Sequence, residues 1–213
     1  MNLLLVGYGV VGKAVYNGLI GKNNIDVLDL DESSDDVGKY PDYDGIILCL
    51  PTPAGPGGEC DDFLVEQYIM CIRKEAPDIP ILLKSTTSLE LIKLLEDDSA
   101  LTYNPEFLTE NDSAEEFKHQ KFAIFGGNNA RFWYDIFVNS NIKMKQVRFT
   151  SMKNAAFAKY AINSFLATKV VFFNELRNLY SDNDFDTLTE IISLDKRIGK
   201  SHMMVPGLDA KHG

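Results

Sequence analysis

Leu3-Leu4-Leu5-Val6-Gly7-Tyr8-Gly9-Val10-Val11-Gly12 is the stretch on which the fold turns. A short, unbroken apolar run ends at Gly7, as a strand buried on both faces does. Residues 12–20 then carry a helical pattern. Between the two, glycines stand at GxGxxG spacing. Such hexapeptides also arise by chance, so the position between strand and helix is what makes this one informative. Gly7 permits a tight turn, Gly9 lets a pyrophosphate approach the backbone, and Gly12 lets helix and strand pack closely. The positive end of the helix then faces the phosphates. Tyr8, Val10 and Val11 complete the candidate loop. Asp29 stands twenty residues beyond Gly9, at the end of the second predicted strand. A carboxylate there accepts hydrogen bonds from ribose hydroxyls and repels a 2′-phosphate, and no Arg follows nearby. The pattern favours NAD over NADP.

Outward from this stretch, strands and helices alternate. Strands are predicted at residues 25–30, 45–50, 79–84, 101–103, 122–125 and 145–149, with helices at 63–75, 88–95 and 130–138. Ser88 is a plausible N-cap. The acidic stretch 31–44 reads as a loop, and Pro51 and Pro53 stop the third strand. This alternation predicts an α/β fold, a Rossmann-type doubly wound parallel sheet. A long helix and a short helical segment follow it. The expected organisation is a cofactor-binding domain over 1–150 and a central helical segment over 151–213.

The second part has a different character. Residues 154–180 contain neither Pro nor Gly and are apolar on most faces, with Phe157, Phe165, Val170, Val171, Phe172 and Phe173 among them. A helix this apolar has to cover itself against the sheet domain, a second subunit, or both. A shorter helix is expected over 185–193.

Bulk properties bound the function. The chain has 213 residues and a net charge of −10, with 45% hydrophobic residues. An acidic chain is a poor partner for nucleic acid, which needs clustered Lys and Arg. Cys49, Cys60 and Cys71 form no CxxC pair and no even set, as reduced cytoplasmic thiols would. The apolar start lacks a basic leader, and no run reaches membrane-spanning length. No metal site is expected.

Four further segments occur in order: Leu50-Pro51-Thr52-Pro53, Lys84-Ser85-Thr86-Thr87, Asn104-Pro105-Glu106-Phe107-Leu108-Thr109-Glu110, and Lys159-Tyr160-Ala161-Ile162-Asn163 within a run continuing to Glu175. Singly, each has a plain structural reading: a rigid proline turn, a helix cap, two solvated carboxylates, a surface pair at i,i+4. Thr52, Thr86 and Glu106 nevertheless all fall just past predicted strand ends, where ligands of such sheets bind. Together with the glycine loop, these segments resemble the nucleotide-sugar dehydrogenases of the UDP-glucose 6-dehydrogenase and GDP-mannose dehydrogenase type. The resemblance runs along the whole chain.

That resemblance implies site roles. Gly7 to Gly12, Asp29, Pro51, Thr52, Ser85, Thr86 and Glu110 would meet NAD. Glu106, Phe107, Leu108, Lys159, Asn163 and Arg197 would meet the nucleotide sugar. Lys159 would stabilise a developing alkoxide, Asn163 would hold an ordered water or oxyanion, and Glu110 would assist proton transfer, with Thr86 also at the reacting centre. It also implies a homodimer through the long helix. The family reaction is a double oxidation through an aldehyde and a cysteine-bound thioester. The segment supplying that cysteine would begin where this sequence ends, at His212-Gly213, and none of the three cysteines matches it. The expectation is therefore a truncated dehydrogenase that needs a separately encoded portion to complete the reaction. Ala156 stands where many members carry Glu. Two other readings stay open: a non-catalytic nucleotide-binding dimerisation module, and a β-hydroxyacid-type dehydrogenase, which needs no cysteine.

Overall fold

The computed structural model describes residues 1–29, 39–107, 113–180 and 184–205. Two compact units are present, Met1–Lys159 and Tyr160–Gly213.

The first unit is built on a seven-stranded sheet of order β2-β1-β3-β4-β5-β7-β9. Its elements are β1 (Asn2–Val6), α1 (Val10–Leu19), β2 (Asn24–Leu28), β3 (Gly45–Leu48), α2 (Phe63–Glu75), β4 (Ile81–Leu83), α3 (Leu89–Leu94) and β5 (Leu101–Tyr103). These are followed by α4 (Ser113–Lys118), β6 (His119–Gln120), β7 (Ala123–Gly126), α5 (Ala130–Asn139), β8 (Lys143–Met144) and β9 (Val147–Thr150). Strands β6 and β8 form a separate two-stranded ribbon. The first five strands of the main sheet are parallel, and β1, β3, β4 and β5 are buried on both faces, which is why they read as short apolar runs, while β2 at the edge is only partly buried.

Alternate side chains divide between two cores. Leu4, Val6, Ile46, Leu48, Ile81 and Leu83 pack with Val65, Ile69 and Ile72 of α2 and with Leu91 and Ile92 of α3. Leu3, Leu5, Ile47 and Leu82 pack with Val15 and Leu19 of α1, Phe117 of α4, and Trp133 and Phe137 of α5. Each fully buried Leu or Ile contributes roughly 1.5–3 kcal/mol of apolar burial. Ser88 caps α3 as predicted, its Oγ accepting from the Leu91 amide at 3.1 Å.

The sheet departs from a wholly parallel one. β7 runs antiparallel to β5, meeting it through Tyr103 and Gly126, and β9 follows β7 in parallel. After β5 the chain makes no crossover to a parallel neighbour. Helix α4 instead lies on the α1 side, where Phe117 closes over Gly18 so tightly that a Cβ there would stand 2.5 Å from its ring. The chain therefore re-enters the sheet in the opposite direction. Neither α4 nor the β6–β8 ribbon is among the predicted elements, because their short polar sequences carry no period long enough to read.

Chain order reverses about β1: β2 lies on one side of it and β3 on the other. This reversal opens a crevice past the carboxyl ends of β1 and β3.

Helix α6 (Met152–Leu179) begins in the first unit, where Met152, Ala155 and Ala156 enter the sheet core. Ala156 is fully buried there. The second unit holds the rest of α6 and α7 (Phe185–Ser193), packed around Phe173, Phe185 and Met203. Phe165, Val171 and Phe172 of α6 remain exposed.

Candidate functional site

The crevice at the reversal is a cavity of 610 Å³. Its walls are the glycine loop with Tyr8, Val10, Val11 and Lys13, the end of β2 with Leu28 and Asp29, and the end of β3 with Cys49, Leu50 and Pro51; Tyr68 of α2 closes it. Gly7 has φ +92°, and a Cβ there would overlap the Cys49 carbonyl. A Cβ on Gly12 would overlap the carbonyl of Gly7. Both positions exclude side chains for packing reasons. Gly9 differs: nothing lies within 4 Å of where its Cβ would be. It caps α1 with no side-chain hydrogen bond, leaving the first amides of the helix turned toward open space. A backbone cradle of this kind fits a dinucleotide diphosphate. The Asp29 carboxylate accepts from the Tyr8 amide, which ties the end of β2 to the glycine loop.

The next strand end is fastened to this one. Ser85 is buried, and its hydroxyl accepts from the Leu50 amide at 2.8 Å. Thr87 donates to the Ser85 carbonyl at 3.0 Å, and the Cys60 thiol donates to the Thr86 carbonyl at 3.6 Å. Thr52 and Thr86 are half-buried at their strand ends but do not line the cavity.

Past β4 and β5 lies a charged cluster. Lys84 is only 3% exposed. Its ammonium is 2.9 Å from Glu106 Oε2 and donates to Asn104 Oδ1 at 2.7 Å and to the Asn104 carbonyl at 3.3 Å. Asn104 is held in turn by its amide donating to the Ile124 carbonyl at 2.7 Å. The other oxygen of Glu106, Oε1, accepts from the Phe107 amide at 2.8 Å. Lys159, in α6, donates to the Glu106 backbone carbonyl and lies 5.0 Å from the Phe107 ring centre.

The electrostatics follow from burial. Desolvation pushes the Lys159 ammonium below its ordinary pKa; Glu106 opposes that shift and Lys84 reinforces it. Burial pushes the Cys49 thiol up to about 12, with Lys84 lowering it and Glu106 raising it. Cys49 is thus a protonated thiol at neutral pH, unfit as a nucleophile. The cavity wall and the charged cluster are linked through Leu50, which lines the cavity and donates to Ser85, the residue after Lys84.

The structure places the glycine loop, Asp29 and Pro51 on one cavity wall, ties Ser85 to that wall through Leu50, and sets Glu106 and Phe107 against Lys159 in a separate cluster. Asn163 is exposed, one turn further along α6 in the second unit. Arg197 is exposed and paired with Asp195 within that unit. Leu108 and Glu110 lie outside the described residues. Lys84, Lys13 and Tyr68 are site residues that the sequence reading did not assign. For Lys84 a signal existed: a lysine closing the apolar run Ile81-Leu82-Leu83 of a central strand is rarely solvated. Among the described residues no group of three or more His, Cys, Asp or Glu could hold a metal ion, and no helix is long and apolar enough to cross a membrane.

Comparison with known proteins bears on family and fold. Residues 153–210 match the model of the UDP-glucose/GDP-mannose dehydrogenase family, central domain. The UDP-glucose 6-dehydrogenase of Rickettsia bellii is 30% identical over 173 residues, covering 75% of this chain and 40% of that protein. An uncharacterized protein of Methanocaldococcus jannaschii is 35% identical over 180 residues, covering 76% of this chain and 20% of its own length. The chain thus spans two fifths or less of these curated relatives. In fold it is similar to a GDP-mannose dehydrogenase from Pseudomonas aeruginosa, with TM-score 0.78 and 18% identity over 96% of this chain and 59% of that one. It is likewise similar to a UDP-glucose dehydrogenase from Pyrobaculum islandicum, with TM-score 0.77 and 22% identity over 95% and 58%. Glycine loop, strand-end motifs, buried lysine cluster and central-domain match all point one way: the chain is a member of the UDP-glucose/GDP-mannose dehydrogenase family, corresponding to its N-terminal and central portions.

Proposed function

We propose that this chain forms the cofactor side and part of the sugar side of an NAD-dependent nucleotide-sugar dehydrogenase, oxidising UDP-glucose or a related nucleotide sugar. One observation carries the reading: Leu50, on the wall of the glycine-loop cavity, donates its amide at 2.8 Å to Ser85, the residue after Lys84, whose ammonium pairs with Glu106 beside Lys159. A dinucleotide in the cavity would end next to an ammonium on a rigid helix.

NAD, when bound, would accept a hydride from the sugar alcohol. The chain's own residues do the remaining work. The backbone of Gly7–Gly12 holds the diphosphate, and Asp29 takes the ribose and disfavours a 2′-phosphate. Pro51 and the tie between Leu50 and Ser85 keep the far wall rigid. The Lys159 ammonium stabilises negative charge on the sugar oxygen as its proton departs. Thr86, Glu110 and Asn163 assist there, with Phe107, Leu108 and Arg197 as sugar contacts. By the family resemblance, none of Cys49, Cys60 and Cys71 stands at the position that supplies the thiolate of the second oxidation. The exposed Phe165, Val171 and Phe172 of α6 are the proposed seam of a homodimer.

Thermal denaturation with added dinucleotide tests the core of this reading. NAD at about a hundredfold its Kd stabilises a single site by about 2.7 kcal/mol. The melting temperature therefore rises with NAD, and rises less with NADP. No rise with NAD removes the reading, and a larger rise with NADP removes Asp29 as the ribose acceptor.

A further inference from the structure

The charged cluster holds two ammonium groups and, among the described residues, one carboxylate in contact with them. Their partners are unequal. Lys84, the deeper group, takes the Glu106 carboxylate oxygen and both oxygens of Asn104. Lys159 takes the Glu106 carbonyl and the face of Phe107. A buried ammonium is costly to maintain without a carboxylate. An ammonium on a neutral carbonyl is the less securely charged of the two.

We propose that Lys84 is a positioning residue: by engaging the Glu106 carboxylate from inside the sheet, it turns that carboxylate away from Lys159 and leaves Lys159 as the more readily titrated of the two ammonium groups at Glu106. This deepens the dehydrogenase reading and rests on it for the meaning of Lys159, though not for the geometry. The device has a clear use. A direct Lys159–Glu106 ion pair would neutralise the charge on which a sugar oxygen depends. With Lys84 in place, the Glu106 charge is already matched, so the Lys159 charge is directed outward. Asn104 keeps Lys84 pointed correctly, since its own amide is fixed to the Ile124 carbonyl of β7. Among the described residues, the other titratable groups around the cluster are the Cys49 thiol, and Glu116, His119 and Lys121 on the wall of the small cavity beside Glu106.

The test reads Lys159 directly and needs no turnover. The full chain is labelled with trace acetic anhydride across a pH series, and the Lys159 peptide is quantified by mass spectrometry to give its titration midpoint. In Lys84→Met, the freed Glu106 carboxylate swings to Lys159 and a repelling charge is gone. The midpoint therefore moves up, and labelling at a fixed, mildly alkaline pH falls severalfold. In Glu106→Gln, Lys159 loses an attracting charge and keeps Lys84, so the midpoint moves down. Lys84→Arg restores the pairing and keeps the wild-type midpoint. If Lys84→Met does not melt cooperatively, the Glu106→Gln and Lys84→Arg pair decides. A Lys159 midpoint that is unmoved in Glu106→Gln, or in a folded Lys84→Met, overturns the proposal. Loss of NAD binding with these midpoints as expected would instead refute the dehydrogenase reading alone.

Discussion

Replacing Gly9 by alanine separates ligand approach from packing. Gly9 has φ −69° and ψ −161°, extended backbone that alanine adopts freely. Its Cβ would meet no atom within 4 Å. The folded state therefore loses little: alanine in place of glycine at a helix N-cap costs about 1 kcal/mol or less, a fall in melting temperature of about 2–4 °C for a chain of this size. The added methyl group does, however, occupy the space through which a diphosphate reaches the first amides of α1. Displacing a ligand by about 1 Å from such a cradle weakens binding by roughly 10–100-fold, about 1.4–2.7 kcal/mol. Calorimetric titration with NAD and a thermal melt on the same sample give both numbers. Gly12→Ala is the control. Its Cβ would overlap the Gly7 carbonyl and come within 3.7 Å of Cys49 Cβ, so binding and stability fall together, the latter by about 1–3 kcal/mol. Wild-type NAD affinity in Gly9→Ala would refute the cradle. A large loss of stability in Gly9→Ala would refute the packing argument.

Three other outcomes are expected. Lys159→Ala lowers nucleotide-sugar oxidation by about 10²–10³, the usual loss on removing a preorganised stabiliser of a developing oxyanion, with NAD affinity retained; initial rates at the NADH absorbance check it, and unaltered rates would take Lys159 out of the reaction. The Cys49 thiol has an ordinary pKa of 9.0 and is pushed up to about 12 in the fold, so the native state holds this proton more tightly than the unfolded chain. That stabilisation is whole below about pH 9 and is lost as pH rises toward 12; denaturant melts against pH show a fall in that window, which Cys49→Ser diminishes, and identical profiles would contradict the burial of the thiol. Arg73 joins α2 to the turn before β5, donating to Asp98 at 2.6 and 3.1 Å and to the Ile79 carbonyl at 2.8 Å. Arg73→Ala should cost about 2 kcal/mol by stranding partly buried acceptors, read as a lower urea midpoint at unchanged slope, and an unchanged midpoint would show the pairs to be without net effect.

Much of this molecule was legible before any coordinates. The bounds of α2, β5 and α7 fall where the periodicity puts them, because long apolar periods and buried strands leave strong local signals. The glycine loop was equally clear, since Gly7 is demanded by its own positive φ and Gly12 by the nearby Gly7 carbonyl, although the Cys49 carbonyl that also excludes a Cβ at Gly7 lies on another strand. What stayed hidden was nonlocal. β7 enters antiparallel to β5 through Tyr103 and Gly126, and Phe117 meets Gly18 from a helix far away in sequence; neither pairing has a local signal.

The amino-acid order alone determined that strand, glycine turn and helix follow one another, because that is written in local spacing, and segment order with the family resemblance put Glu106 and Lys159 forward for one site. Only the tertiary structure decided which of two lysines receives the Glu106 carboxylate. That choice is made by the depth of β4 in the sheet: Lys84 has no water to turn to, so it claims Glu106, and Lys159 is left with a carbonyl. Burial is a property of the assembled layers, and no window of sequence contains it.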